Sequence, residues 1–347
     1  MFWIVGGSGF ALALCRSLGL PSEGLAEQMT HVSWEGFRFF DLIFPLFVFM
    51  SGITVPYSVL SKKRQGISTT RLQLGIVKRA ALLILFGLSF SLFRFDPSSV
   101  RLYTVLWLIG MSYLIGASIS LHLSSWKHQL AVFFAVLVSY HIVMLYLPFP
   151  GKEVAMTPSN NLAAYLDRTL VTTNLYRGDY DPEGSIRVIT GGMLCLLGSL
   201  VGRRIKAFAT PSLRCGLELF GAGLVFLLLG FLWSFAFPII KDLWSPSFIL
   251  WAAGWSLLLL SLFYTVLDVF RQKWLGFIFI PIGMNAITIY LAQVWLDLHH
   301  TNRFFFGGFA GQFENPDHKA LVLSFGYLLI QWLLLFFLYR KKIFLRV

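Results

Sequence analysis

His31 and Asp41 are the residues of this chain whose types and placement best suit chemistry. They flank the mouth of an apolar stretch, HVSWEGFRFFDLIFPLFVFMSG (residues 31–52), with Trp34 and Glu35 between them. Ionisable groups at membrane depth are costly, so function is the first reading to test. An imidazole titrates near neutrality, takes a proton from an amine or hydroxyl nucleophile and returns it to a leaving group. A carboxylate beside it would fix its tautomer and stabilise the imidazolium. On one straight helix the ten-residue spacing would separate the pair by ~15 Å. Contact therefore requires a bend, and Glu35-Gly36 is the natural place for one. The competing reading leaves His31 at the headgroup level and makes Asp41 a helix cap.

Other polar groups recur at span ends. Asp181-Pro182-Glu183-Gly184 precedes an apolar run and has an ordinary explanation: Asp caps, Pro opens the first turn and Glu complements the dipole. FPIIKDLWSPSF reads as a tight turn between two spans, with Lys241 either solvated or aimed into a central cavity. Asn285, Tyr290 and Gln293 interrupt an apolar segment and fit interhelical hydrogen bonding. His299-His300 lacks further ligands at metal spacing, and Cys15, Cys195 and Cys215 lie in or beside apolar runs, so no metal site and no disulfide framework is expected. The run SKKRQGISTTRLQLGIVKRA holds Lys62, Lys63, Arg64, Lys78 and Arg79. It reads as a topology signal, or as a patch for the phosphates of a nucleotide-bearing donor.

These groups need elements to position them. The 347 residues are 57% hydrophobic and 13% charged, against about 25% charged in soluble domains. Mean hydropathy is +0.73. The composition predicts an all-α integral membrane protein, since only helices satisfy the backbone of such apolar spans internally. About ten spans are expected: 2–19, 39–60, 76–94, 102–122, 129–147, 185–202, 213–236, 247–267, 275–296 and 320–339. Together they form a single polytopic domain over residues 1–347, and no cleavable leader is expected, because the first span has no basic segment before it. The formal charge of +12 sits in short clusters at span ends, which argues for topology signals and against nucleic acid. Lys62–Arg64, Arg71, Lys78, Arg79, Lys127, Arg203, Arg204, Lys206, Arg214, Arg271, Lys273, Arg340–Lys342 and Arg346 all fall at one set of ends. The positive-inside rule then places both termini in the cytoplasm, and the His31 loop, the 148–184 loop, the 237–246 turn and the 297–319 loop outside. The long 148–184 connector reads as an extracytoplasmic lid.

Five blocks in order carry a resemblance. HVSWEGFRFFDLIFPLFVFMSG, KRAALLILFG, YDPEGSIRVITGGMLCLLGSLVGRRI, FPIIKDLWSPSFIL and PIGMNAITIYL resemble conserved stretches of the heparan-α-glucosaminide N-acetyltransferase family and its bacterial relatives, including the DUF5009 group. The chain departs from that pattern in lacking an Asn about eleven residues before His31, and in carrying Trp107-Leu108 where members tend to have Gln-Arg. The resemblance implies a multi-span acyltransferase of the cytoplasmic membrane that moves acetyl from cytosolic acetyl-CoA to an amino sugar or glycan on the other side. It implies that His31 is the catalytic base and Asp41 its acidic partner. Trp34, Lys241, Asn285, Asp181 and Glu183 are then candidates for binding acceptor or thioester. Lys62, Lys63, Arg64, Lys78 and Arg79 are candidates for the CoA phosphates. The donor is a substrate rather than a resident cofactor, the bilayer is an obligatory partner, and a homodimer stays open. The rival reading is a permease for a small polar or sugar-derived solute, or a non-catalytic relative.

Overall fold

The computed structural model describes residues 1–92, 100–150, 156–171 and 174–345. Residues 93–94 of the third expected span, residues 151–155 and 172–173 of the expected lid, and Arg346 lie outside the described residues. In chain order the α-helices are α1 Ser8–Ser17, α2 Glu23–Gln28, α3 Phe39–Ile53, α4 Val55–Arg64, α5 Thr69–Leu92, α6 Val105–His122, α7 Trp126–Tyr146 and α8 Leu162–Leu170. They continue as α9 Arg187–Ala207, α10 Leu213–Ser234, α11 Pro246–Phe263, α12 Phe279–Met284, α13 Ala286–Trp295, α14 Leu298–Ala310 and α15 Pro316–Arg340. Among the described residues there is no strand; an isolated antiparallel bridge joins Glu35 and Ile240. The protein is an all-α, multi-pass membrane protein.

Eight stretches among the described residues are long and apolar enough to cross a membrane, not ten: 39–64, 69–89, 105–122, 126–146, 187–207, 213–234, 246–269 and 316–340. Two expected spans fall short for visible reasons. Residues 3–17 open as an irregular π-turn in which Gly6 has φ +115°, before α1 begins. The stretch expected as a span over 275–296 is broken at Asn285 into α12 and α13.

The chain divides into two compact units. One comprises Val32–Phe37 and Asp41–Phe270. Its core runs through Phe49, Leu108, Phe133, Leu194, Phe248 and Leu257, all buried. Here α9 is the central helix, packed by α4, α6, α7 and α11, while α10 lies along α11. Small residues make that closeness achievable, as is usual between helices in lipid. A Cβ on Gly52 would overlap the Cys195 carbonyl, and one on Gly198 would overlap the Phe49 carbonyl, so α3 and α9 meet backbone to backbone.

The other unit comprises Met1–His31, Arg38–Phe40 and Arg271–Val347. In it α15 packs against α1, α12 and α14. Its polar seam fits the expectation for the interrupted segment. The Gln293 Nε2 donates to Gln331 Oε1 at 2.9 Å, and the Gln331 Nε2 donates to the Val5 carbonyl at 2.7 Å.

Candidate active site

Asp41 lies in the first turn of α3 and is fully buried. Its Oδ1 stands 3.3 Å from Lys241 Nζ, and its Oδ2 accepts a long bond (3.4 Å) from the Val32 amide. Lys241 keeps only 13% side-chain exposure, so it is neither solvated nor idle. A buried carboxylate is tolerable only with such pairing.

The segment reaching Asp41 is not a helix: residues 31–38 are irregular and α3 starts at Phe39. Gly36 has φ +112°, a conformation that a side chain would strain, so the expected bend is present there. Glu35 bridges to Ile240, and the Gly36 amide donates to the Ile239 carbonyl at 2.9 Å. The Trp34 indole donates to the Met156 carbonyl at 2.6 Å, and its ring meets Tyr180 edge-on at 5.7 Å.

Lys241 itself is held by a turn clamped from several sides. Residues Lys241–Leu243 form one 3₁₀ turn closed by Trp244 in the left-handed region at φ +49°. Ser245 Oγ accepts from the Ile240 and Phe248 amides and donates to the Pro238 carbonyl. The Tyr140 hydroxyl donates to the Leu243 carbonyl at 2.6 Å, the Arg187 Nε to the Asp242 carbonyl at 2.6 Å, and the Tyr180 hydroxyl to Asp242 Oδ2 at 3.0 Å. Burial pushes the Tyr180 phenol up, and the Asp242 carboxylate adds to the shift, so it stays a donor.

Beside this turn lies an ionic network. Arg187, fully buried at the start of α9, donates from Nη1 to Asp167 Oδ2 at 2.7 Å. Asp167 also accepts from the Asp181 and Ser185 amides. Burial raises the Asp167 carboxyl, while Arg187 opposes the shift. Arg101 grips Asp181 with two bonds of 2.7 and 2.6 Å and also bonds Glu183. Asp181 is therefore not a helix cap: α9 begins only at Arg187 and has no side-chain cap. Burial lifts the Glu183 carboxyl from 4.5 to about 7; Arg101 and Lys241 pull it back, and the Asp181 charge adds to the rise.

The folded chain thus keeps a proton on Glu183 that an unfolded chain releases near pH 4.5. By linkage, stability falls as pH climbs from about 4.5 to about 7 and is flat with respect to this group outside that window. Glu183→Gln should remove that slope, as read from thermal midpoints of wild type and variant across the window.

At the other end of the same helices, a cavity of about 450 Å³ is lined by Leu60, Lys63, Arg64, Ser120, Ser124, Arg203, Lys206 and Ala207. Lys63 Nζ donates to the Leu121 carbonyl at 2.6 Å, Arg203 Nη2 to the Ser124 carbonyl at 2.8 Å, and Lys206 to Pro56 and Ser61. Among the described residues the buried Arg203 Nη1 has no hydrogen-bond partner. Four cations and no carboxylate line this cavity, which suits an anion with several oxygens. Of the five basic residues expected to meet phosphate, Lys63 and Arg64 line it. Lys62 and Lys78 are exposed elsewhere, and Arg79 lies over the Tyr113 ring at 4.3 Å.

His31 and Asn285 belong to the other unit. His31 is exposed, its ring packs on Phe40 at 4.9 Å, and its carbonyl accepts from Arg38, which also pairs with Glu27. Asn285 is 2% exposed at the α12–α13 break and accepts a long bond (3.5 Å) from Thr288. His299 stacks on Tyr327.

No family model matches the chain. Over 91% of its length the chain is 27% identical to the heparan-α-glucosaminide N-acetyltransferase of Mus musculus. It is 26% identical, over the same share, to that of Homo sapiens. The chain resembles the heparan-α-glucosaminide N-acetyltransferases. It spans about half their length, 56% and 55% respectively. This similarity to acetyltransferases makes a transferase with acetyl-CoA as donor the class to test. Against that class, the structure adds residues that spacing alone did not single out. Arg187, Asp167 and Tyr180 hold the Lys241-Asp242 turn, and Arg203 and Lys206 complete the basic cavity. One signal was visible, a lone Arg opening an apolar run in DPEGSIR. Arg203 and Lys206 carried only the signal of topology.

Proposed function

We propose that the chain transfers acetyl from acetyl-CoA on its basic side to an amino sugar or glycan on the opposite side of the cytoplasmic membrane, with both termini in the cytoplasm. One observation carries this reading: α9 has Arg187 of the acidic-and-lysine site at one end and Arg203 of the basic cavity sixteen residues further on. At 1.5 Å per residue the two lie ~24 Å apart along one helix. An extended phosphopantetheine arm covers about 15–20 Å of such a distance. The similarity to N-acetyltransferases supplies the reaction class.

In this mechanism Lys63, Arg64, Arg203 and Lys206 hold the CoA phosphates, the buried Arg203 Nη1 gaining the acceptor it lacks. The acceptor nitrogen or oxygen attacks the thioester carbonyl as the C–S bond breaks. His31 takes the acceptor's proton and passes it to the departing thiolate, with Asp41 as the acidic partner that the resemblance implies. Lys241, Trp34, Asn285, Asp181 and Glu183 are assigned to acceptor or thioester binding, Asp181 and Glu183 through the Arg101 network they build.

The test is sided transfer in reconstituted vesicles. Labelled acetyl-CoA supplied to the basic face should yield acetylated glucosamine in the opposite compartment. Passage of unmodified sugar with no acetylated product would establish the permease instead. Arg203→Gln should raise the KM for acetyl-CoA about tenfold with little change in kcat, since a charge-assisted bond to phosphate is worth about 1.5–3 kcal/mol before solvent competes. An unchanged KM would move the donor phosphates away from this cavity.

A further inference from the structure

A second feature of the larger unit has no part in acetyl transfer. Helices α7 and α10 leave a groove of about 410 Å³ lined by Val138, His141, Leu229, Leu232, Trp233 and Ala236. Both helices are long and apolar enough to cross the membrane, and Val138 and Leu232 are 46% and 54% exposed, so lipid is what surrounds this face. Four of the six lining side chains are aliphatic. The other two form a hydrogen-bonded pair: the Trp233 indole N–H donates to His141 Nδ1 at 3.1 Å.

That bond decides the histidine's tautomer. With Nδ1 accepting, a neutral imidazole carries its hydrogen on Nε2. Among the described residues Nε2 has no hydrogen-bond partner. Phe237 stands edge-on to the ring at 5.7 Å and offers it no acceptor. An aliphatic groove therefore presents one fixed N–H donor. Its depth follows from the helix ends. His141 lies five residues before the end of α7 at Tyr146, or ~7–8 Å along the axis, and Trp233 is the penultimate residue of α10. A tryptophan there fits the membrane–water interface. At that level the abundant acceptor is the acyl ester of a membrane lipid. The ends concerned are those opposite Lys127 and Arg214, which fixes the leaflet.

We propose that this groove is a site for a diacyl glycerophospholipid, one acyl chain lying along Val138, Leu229, Leu232 and Ala236 and an ester carbonyl accepting from His141 Nε2–H. The indole of Trp233 serves as the group that keeps the donor pointed outward. The site is independent of the acetyltransferase reading and stands or falls by lipid chemistry alone.

Native mass spectrometry of the purified full chain, equilibrated with a diester phosphatidylcholine and its diether analogue of equal chain length, tests it. The expected result is one retained lipid per chain with a three- to tenfold preference for the diester, the worth of a single hydrogen bond. His141→Leu should abolish that preference. Trp233→Phe, which keeps the imidazole but frees its tautomer, should weaken it. Equal retention of the two lipids by the unaltered protein overturns the proposal without any variant having to fold. A diester preference that survives in His141→Leu overturns it as well.

Discussion

His31→Ala is expected to abolish acetyl transfer, lowering the rate by at least ~10²-fold, the smaller end of what a positioned general base contributes. The variant should remain folded. The His31 side chain is exposed, and its ring packs on Phe40. The bond from Arg38 goes to the His31 backbone carbonyl, which alanine retains. The thermal midpoint should thus stay near that of the unaltered protein while acetyl-CoA consumption in the presence of glucosamine disappears. A variant with full activity would assign the proton transfer to another group. Incubation with labelled acetyl-CoA and no acceptor separates the two imidazole chemistries, because only a transient acyl carrier leaves label on the protein.

Arg187→Met carries the largest expected cost in stability. The guanidinium is fully buried and bonds both the Asp167 carboxylate and the Asp242 carbonyl. Methionine keeps much of the volume but strands Asp167, which still bridges the Asp181 and Ser185 amides. Breaking one side of a buried pair costs about 3–5 kcal/mol. Adding Asp167→Asn should recover a large part of that loss, because the stranded charge disappears, and a double-mutant cycle on detergent-solubilised protein measures the recovery. Lys241 should also lose its fixed position, so acetyl transfer should fall further than folding alone explains. Simple additivity of the two substitutions would show that the residues do not act as a pair.

Most of the long helices were plain in the sequence because charge gathers near their ends. Lys62–Arg64 closes α4, Arg204 and Lys206 close α9, and Arg340 closes α15. The breaks inside apolar runs were harder. Nothing in the hydropathy of 275–296 marks Asn285 as the point where α12 stops, since one amide among aliphatic neighbours fits an interhelical bond equally well. At DPEGSIR the local reading favoured a cap. The structure instead gives Asp181 to Arg101, eighty residues away, because a bidentate guanidinium offers more than an exposed amide. The pairing of Asp41 with Lys241 spans two hundred positions and has no sequence period to reveal it. The bend at Gly36 was legible, because glycine's freedom at positive φ is a property of the residue itself. In the basic cavity, Lys63 and Arg64 were visible as a cluster. Arg203 and Lys206 join them only once α9 packs beside α4.

The clamp on the 241–243 turn also sets an order of events during biosynthesis. Tyr140, Tyr180 and Arg187 precede their acceptors by 103, 62 and 55 residues. Until the ribosome has delivered that turn, the Arg187 Nε and both hydroxyls must be satisfied by water or by transient partners. A nascent chain arrested short of residue 240 should accordingly be open to protease at its 174–186 segment, and protection should appear abruptly once the turn emerges.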